Sequence, residues 1–440
     1  MEKRERILLC KPKMCGRELD FIREALKEDW AVPLGPDVTA FEHELEEFVN
    51  KRQEGGDKCE GIVRSDKVAK YATSLDKKVV ALSAGTAAVH LALIACGVCP
   101  GDEVMVQSFT FCASSHPVTY LGATPVFVDS EPQTWNMDPQ LLDEAIADRI
   151  AKTGRKPKAI IPVALYGMPY KIDDILKVAR KYDIPVIEDA AEGLGSRFKG
   201  QVLGTFGRYG VLSFNGNKMI TTSGGGALIC PDAEAAREVM WYATQARESY
   251  PYYQHEAIGY NYRMSNICAG IGRGQMTVLE EHIAHHKHVQ DLYCELLRDV
   301  SGVEMHVNPA PEFDSNFWLC TATLSPEVHI KGEEDAYREV VKGAVGGAAG
   351  VIHAASSAVT DCQPNANVEA LRVVMDKAGI EMRPLWKPMH RQPVYRNNPA
   401  YVNGVSEDLF KVGFCLPAGP WVTDEDVRYI VETLRDAIVS

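Results

Sequence analysis

The sequence predicts an α/β fold, with a mostly parallel sheet flanked by helices in a large domain and a smaller α+β domain at the C-terminus. Three observations predict it. Between Lys77 and Cys230, short and continuously apolar runs alternate with amphipathic stretches at helical spacing. Strands covered on both faces need such runs, and helices on both faces of a parallel sheet provide the cover. After about residue 300 that alternation fades into one strand candidate and separated helices. The chain has 440 residues, 46% of them hydrophobic, enough for more than one core.

Taken in order, Glu18 to Asn50 alternates charged and apolar residues at helical spacing and is broken at Pro33-Leu34-Gly35-Pro36. A second helix is expected from near Asp37 or Thr39, with Phe41, Leu45 and Phe48 on one face. Residues 51–76 are charged, contain glycine and show no strong period, so an irregular excursion with some helix is expected. Strands are expected at Val79-Val80-Ala81-Leu82, Val104-Met105-Val106, Pro125 to Val128, Ala159 to Ala164 and Pro185-Val186-Ile187. Helices are expected from Gly85-Thr86 to Ala95, and at Leu141–Ala147, Ile172–Tyr182 and Ala233–Ala246. A long helix should run from Ile267 towards Asp299. The domain boundary falls within it, giving a large domain at 1–280 and a small one at 281–440. The small domain should hold a strand at Phe317–Leu324 and helices near Val368–Ala378 and Asp424–Val439. Gly343 to Ser357, rich in Gly, Ala and Ser, fits a flexible insertion or an Ala-rich helix.

Charge and composition narrow the function. With 60 acidic against 47 basic residues, the formal net charge is −13. Such a surface repels phosphate backbones, which argues against a nucleic-acid partner. The densest basic stretch, Lys58 to Lys78, is interrupted by acids. Met1 to Cys10 lacks the apolar run of a signal peptide, and no segment reaches the roughly 20 apolar residues of a membrane helix. The expectation is a cytoplasmic protein without a membrane partner. Twelve cysteines without framework spacing fit a reducing compartment. Cys96-Gly97-Val98-Cys99 could suggest a redox or metal motif. It lacks a second pair for zinc, and Pro100-Gly101-Asp102 follows, so the end of an apolar helix entering a turn is the better reading. No metal is expected.

In a sheet of this type, ligands bind beyond the carboxyl ends of the strands. Four groups sit at such ends. Ser83-Ala84-Gly85-Thr86 joins a strand to a helix, where free N–H groups favour a phosphate; such junctions are also common without a ligand. Glu188-Asp189-Ala190-Ala191-Glu192 follows an apolar strand. Its acids could be helix caps, or Asp189 could support a protonated pyridine nitrogen. Lys218 follows the apolar strand ending at Ser213, in a stretch of small polar residues and glycines reaching Gly224-Gly225-Gly226. A lone lysine is normally a surface charge; in a partly desolvated pocket it can attack an aldehyde. Phe109-Thr110-Phe111 could be core, or Phe111 could stack on a planar cofactor. The four occur in the order phosphate turn, aromatic, acid, lysine.

These residues resemble the DegT/DnrJ/StrS family of sugar aminotransferases, enzymes of fold type I that depend on pyridoxal 5′-phosphate (PLP). The motifs are Ser83-Ala84-Gly85-Thr86-Ala87-Ala88, Ser108-Phe109-Thr110-Phe111, Glu188 to Glu192, Ser213-Phe214-Asn215-Gly216-Asn217-Lys218 and Gly259-Tyr260-Asn261-Tyr262-Arg263-Met264. The resemblance covers nearly the whole chain. Val32 to Pro36, Asn215 to Lys218 with Thr221 to Gly226, and Arg383 to His390 narrow the resemblance to the subgroup acting on UDP-4-keto-6-deoxy-N-acetylglucosamine, on the route to bacillosamine-type glycans.

The resemblance implies roles. Lys218 holds the cofactor aldehyde covalently and then shuttles the proton, and Asp189 pairs with the ring nitrogen. Phe111 stacks on the ring, while Gly85, Thr86 and Ser213 hold the phosphate. Asn261 reaches the phosphate site of a second subunit, implying a homodimer with shared sites. Trp386, Lys387 and His390, with Pro33 and Leu34, lie near the nucleotide sugar. L-glutamate is the amino donor, and the cofactor passes through its pyridoxamine phosphate form. Two features depart from the family. Glu192 stands where many relatives have Gln or His beside the ring oxygen, and a carboxylate there repels that oxygen unless one of them is protonated. Ala164 precedes Leu165-Tyr166-Gly167 where many relatives have His. Segments 51–76 and 343–361 are also longer than in those relatives. A sugar 3-dehydratase on the same fold carries His in place of the lysine, so Lys218 opposes that alternative. Intact Lys218, Asp189 and phosphate turn oppose a non-catalytic sensor. A 3-keto sugar aminotransferase is separated only by the subgroup resemblance.

Overall fold

The computed structural model describes residues 4–51, 76–337 and 362–439. The expectations for the interior of 51–76 and for 343–361 lie outside the described residues.

The large sheet contains β1 (Lys78–Leu82), β2 (Glu103–Gln107), β3 (Thr124–Val128), β4 (Ala159–Ile161), β5 (Ile187–Asp189), β8 (Tyr209–Ser213) and β9 (Gly226–Cys230). Two four-stranded ladders, β1-β9-β8-β5 and β4-β2-β3-β14, are joined by parallel bridges from Ile160 to Val186 and from Val163 to Asp189. The edge strand β14 (Ala400–Tyr401) is contributed by the C-terminal part of the chain and runs parallel to β3. β9 runs antiparallel to both neighbours; the other pairings are parallel. The mostly parallel sheet predicted from the apolar runs is therefore present. Between β5 and β8, β6 (Arg197–Phe198) and β7 (Gln201–Val202) form a small hairpin that pairs with β11 (Phe313–Asp314).

Helices cover this sheet on both sides: α1 (Glu18–Lys27), α2 (Pro36–Asn50), α3 (Gly85–Ala95), α4 (His116–Tyr120), α5 (Pro139–Thr153), α6 (Ile172–Tyr182), α7 (Ala233–Ala243), α8 (Asn266–Met276) and α9 (Leu279–Leu297). Local chemistry sets their ends. In α5 the Asp138 carboxylate accepts from the N–H groups of Gln140 and Leu141, Pro139 fits the first turn, and Gly154 closes the helix at φ 69°. α6 has Asp173 and Asp174 in its first turn and Arg180 and Lys181 in its last, matching the helix dipole. α3 ends at Ala95, Gly97 takes φ 72°, and the Asp102 carboxylate accepts from the Cys99 N–H. Cys96 and Cys99 thus form the helix end and turn expected of them.

Several boundaries differ from the sequence expectation: β4 stops at Ile161 rather than Ala164, β5 is shifted to Ile187–Asp189, α5 is longer than Leu141–Ala147, and three further differences have a visible local cause. The long helix is two helices, α8 and α9. The Thr277 hydroxyl and N–H both turn back to the Gly274 carbonyl, and Val278 N–H bonds Gln275 O, so the ladder tightens and stops there. The helix expected to Ala246 ends at Ala243, and Gln245 and Ala246 take positive φ. The strand expected from Phe317 is β12 (Cys320–Leu324), because Phe317 sits at φ 48° and the segment before it is tied elsewhere. The Asn316 amide donates to Glu192 O and Leu194 O, both at 2.9 Å.

A second core contains Ile7 and residues from Val289 to Ala437. It surrounds the sheet β10-β12-β15-β13, built from β10 (Val303–Met305), β12, β13 (Arg383–Pro384) and β15 (Gly413–Leu416). α10 (Ala366–Lys377), α11 (Val405–Val412) and α12 (Asp424–Ala437) belong to this half of the chain. α12 opens with a reciprocal Thr423–Asp426 capping box. Full burial of each Leu, Ile or Phe in these cores contributes about 1.5–3 kcal/mol.

Candidate active site

β1, β2, β5 and β8 share one direction, so their carboxyl ends meet at one side of the sheet, where a cavity of about 310 Å³ opens. Gly85 and Thr86 begin α3 there. Ala84, the N-cap, is extended and supplies no side-chain cap. A Cβ on Gly85 would stand 3.0 Å from Ser213 Cβ, and one on Gly226 would stand 2.4 Å from Gly85 N. Glycine is required for backbone and Ser213 to come this close. The result is an uncapped helix N-terminus with a hydroxyl beside it, a donor set suited to a phosphate.

Asp189 lies at the end of β5, buried. Ser114 Oγ donates to its Oδ2 at 2.5 Å and Ala191 N–H to its Oδ1 at 3.1 Å. Thr110 Oγ1 lies 2.8 Å from Ser114 Oγ, which fixes that hydroxyl. Burial pushes the Asp189 carboxyl above its usual range, and the Ser114 hydrogen bond, the Ala191 N–H and the Lys218 charge oppose the shift. A buried carboxylate lining a cavity suits a protonated ring nitrogen.

Lys218 lies in the loop after β8. Its Nζ is 3.2 Å from Glu192 Oε1 and 4.1 Å from the centre of the Trp318 ring. The other Glu192 oxygen accepts the Tyr166 N–H at 2.8 Å. Burial raises the Glu192 carboxyl, with Lys218 and the Tyr166 N–H opposing. The loop is held by Trp318, whose Nε1 donates to Asn217 O at 2.6 Å. Across the cavity mouth Phe111 is 50% exposed, with its ring 5.4 Å from that of Trp386. Trp386 in turn lies 6.2 Å from the Tyr166 ring at 15°, and the Tyr166 hydroxyl accepts the Trp386 N–H.

Gly85, Thr86, Phe111, Asp189, Glu192, Ser213, Lys218 and Trp386 thus meet at one cavity. Other expected residues do not line it. Pro33, Leu34 and Asn261 are exposed elsewhere on this chain, and Lys387 lies outside the lining. Both ring nitrogens of His390 are engaged, Nδ1 2.6 Å from Ser108 Oγ and Nε2 3.0 Å from Glu407 Oε1. Sequence reasoning missed Ser114, Tyr166 and Trp318. Ser114 lies three residues beyond the aromatic motif and Tyr166 in the Leu-Tyr-Gly run, so both stood beside signals already noted. Trp318 is 100 residues from Lys218, and no local pattern links them.

A phosphate cradle, a buried acid, a partly buried amine and a flat aromatic ring together fit PLP, whose phosphate, ring nitrogen, aldehyde and planar ring each find a matching group. Comparison with known proteins agrees. The family model for the DegT/DnrJ/EryC1/StrS aminotransferase family matches residues 65–353 and 339–435. The Bacillus subtilis protein EpsN, named as a pyridoxal phosphate-dependent aminotransferase, is 39% identical over 98% of this chain and 95% of its own. GDP-perosamine synthase of Caulobacter vibrioides is 31% identical over 99% of both chains. The crystal structure of a DegT DnrJ EryC1 StrS aminotransferase from Brucella abortus superposes with a TM-score of 0.76 at 26% identity, covering 96% of this chain and 95% of that one. The chain belongs to the DegT/DnrJ/EryC1/StrS family and is a PLP-dependent sugar aminotransferase.

Proposed function

We propose that the chain moves the amino group of L-glutamate to the C4 ketone of a nucleotide-linked 4-keto-6-deoxy sugar, UDP-2-acetamido-2,6-dideoxy-4-hexulose. The observation that carries this reading is the meeting of Lys218, Asp189 and the α3 N-terminus at a cavity walled by Phe111 and Trp386. The motif around Trp386 also carries the resemblance to enzymes of UDP-4-keto sugars. A relative named for a GDP-linked sugar supports a nucleotide-sugar acceptor.

Bound PLP supplies an electron sink for the carbon next to the reacting nitrogen. The protein residues do the rest. Gly85 and Thr86 N–H groups and the Ser213 hydroxyl hold the phosphate, and Asp189 keeps the ring nitrogen protonated. Phe111 would stack on the ring of the bound cofactor. Lys218 Nζ takes the Cα proton of L-glutamate and returns one to C4 of the sugar. Trp386, which lines the cavity, faces the nucleotide sugar. Fixing both substrates against one amine converts a bimolecular encounter into a positioned transfer.

Asn261, exposed in its own chain, reaches the phosphate site of a second copy in a homodimer. The division near residue 280 separates the cofactor-holding part from a smaller one, and the reaction belongs to the cytoplasm. Among the described residues no helix is long and apolar enough to cross a membrane. The test is a panel of UDP- and dTDP-linked 4-keto and 3-keto sugars with L-glutamate, analysed by mass spectrometry. An amino product from the UDP-4-keto sugar is expected. Product only from a 3-keto sugar overturns the acceptor assignment.

A further inference from the structure

The cavity holds two buried carboxyls, Asp189 and Glu192, and one amine, Lys218. Their surroundings differ. Asp189 accepts from a hydroxyl and an N–H, and its place suits a cation on the cofactor ring. Glu192 accepts the Tyr166 N–H, and among the described residues its one cationic contact is Lys218 Nζ at 3.2 Å. Beyond Lys218, the titratable groups of the described residues that face Glu192 are Asp189, the Tyr166 hydroxyl and the Cys415 thiol, none of them a cation. Once Lys218 is joined to the cofactor and its nitrogen is unprotonated, no ammonium balances a Glu192 carboxylate. A buried carboxylate left without a cation takes up a proton, and paired carboxyls in unlike surroundings divide into one ionised and one neutral.

We propose that Glu192 is the base that frees Lys218 for cofactor attachment and then stays neutral as an acid beside it. The ammonium proton passes from Lys218 Nζ to Glu192 Oε1 along their hydrogen bond. The freed lone pair on Nζ forms the bond to the aldehyde carbon. The aldehyde oxygen leaves as water with the two remaining amine protons, and Glu192 keeps the transferred one. A neutral Glu192 can donate a hydrogen bond to the ring oxygen that the family resemblance sets beside it, where a carboxylate would repel that oxygen. The step is independent of which sugar the enzyme serves, because attachment needs neither amino donor nor acceptor.

Glu192→Gln tests it. The amide keeps the acceptor for the Tyr166 N–H and imitates the neutral acid, but cannot take the proton. The full-length chain is stripped of cofactor with hydroxylamine, PLP is added, and visible absorbance follows attachment between pH 6 and 9. In the variant, attachment at pH 7 should slow by at least about tenfold and recover by about tenfold per pH unit as free amine increases. Once loaded, its absorbance midpoint should lie within about half a pH unit of the parent's. Glu192→Asp should restore part of the attachment rate, and matching melting temperatures show that the variants are folded. Unchanged attachment at pH 7 overturns the base assignment. A midpoint lowered by about one unit or more shows that Glu192 was ionised beside the cofactor and overturns the neutral-acid assignment.

Discussion

Ser114→Ala isolates the one side chain that donates to the buried Asp189 carboxylate. The Oγ–Oδ2 distance is 2.5 Å, and Thr110 Oγ1 fixes the hydroxyl from its other side at 2.8 Å. A hydrogen bond to a charged group contributes about 1.5–3 kcal/mol. At 1.36 kcal/mol per pKa unit this corresponds to a rise of about one to two units in the Asp189 pKa. The hydrogen bond favours the ionised form, so its loss adds to the upward push of burial. Stopped-flow absorbance of the half-reaction with L-glutamate, measured from pH 5 to 9, reads the change. The acid limb of the rate profile should move up by about one unit or more, with the alkaline limb unmoved. Ser114→Thr keeps the hydroxyl and should keep the parent profile. An acid limb that stays in place in Ser114→Ala refutes the claim that Ser114 holds Asp189 ionised.

Asp189→Asn separates stability from activity. Burial raises the Asp189 pKa, so the folded chain holds that proton to higher pH than the unfolded chain. Stability from this group is present below the unfolded carboxyl range and is lost as pH rises through the folded value. At pH 7.5 the cofactor-free variant should therefore melt above the parent, by an interval that shrinks as pH falls, while transamination drops at least about 100-fold; a lower melting temperature at pH 7.5 contradicts this. Lys218→Ala should lose about 10²–10⁴ in rate and yield no borohydride-fixed cofactor peptide, whereas full activity in that variant sinks the assignment of the amine. Trp386→Ala removes the ring beside Phe111 and Tyr166, each such contact contributing about 0.5–1.5 kcal/mol. Steady-state kinetics should show the KM for the sugar raised by about tenfold with kcat little changed, and an unchanged KM removes Trp386 from the acceptor site.

The sequence by itself determined the parallel strands β1 to β5 and β8, most helices and the order of the cofactor motifs, because these are written in local patterns, whereas β9 and β14 were not expected from it. Continuous apolar runs mark doubly covered strands; Asp189 and Ser213 end such strands, and Gly85 and Lys218 lie three and five residues beyond one. Helix ends were less legible. The stop at Thr277 depends on a hydroxyl returning to Gly274 O, and the late start of β12 depends on Asn316 being tied to Glu192 O and Leu194 O. Tertiary structure alone decided which residues share the cavity. It placed Trp318 over Lys218 from 100 positions away, seated Ser114 on Asp189, and engaged both nitrogens of His390. It also set the Glu192 carboxylate against Lys218, the one amine that lines the cavity among the described residues. The reason is physical. Strand and helix periods arise from neighbours along the chain, whereas the protonation state of a buried acid is set by whichever charges folding brings within a few ångströms.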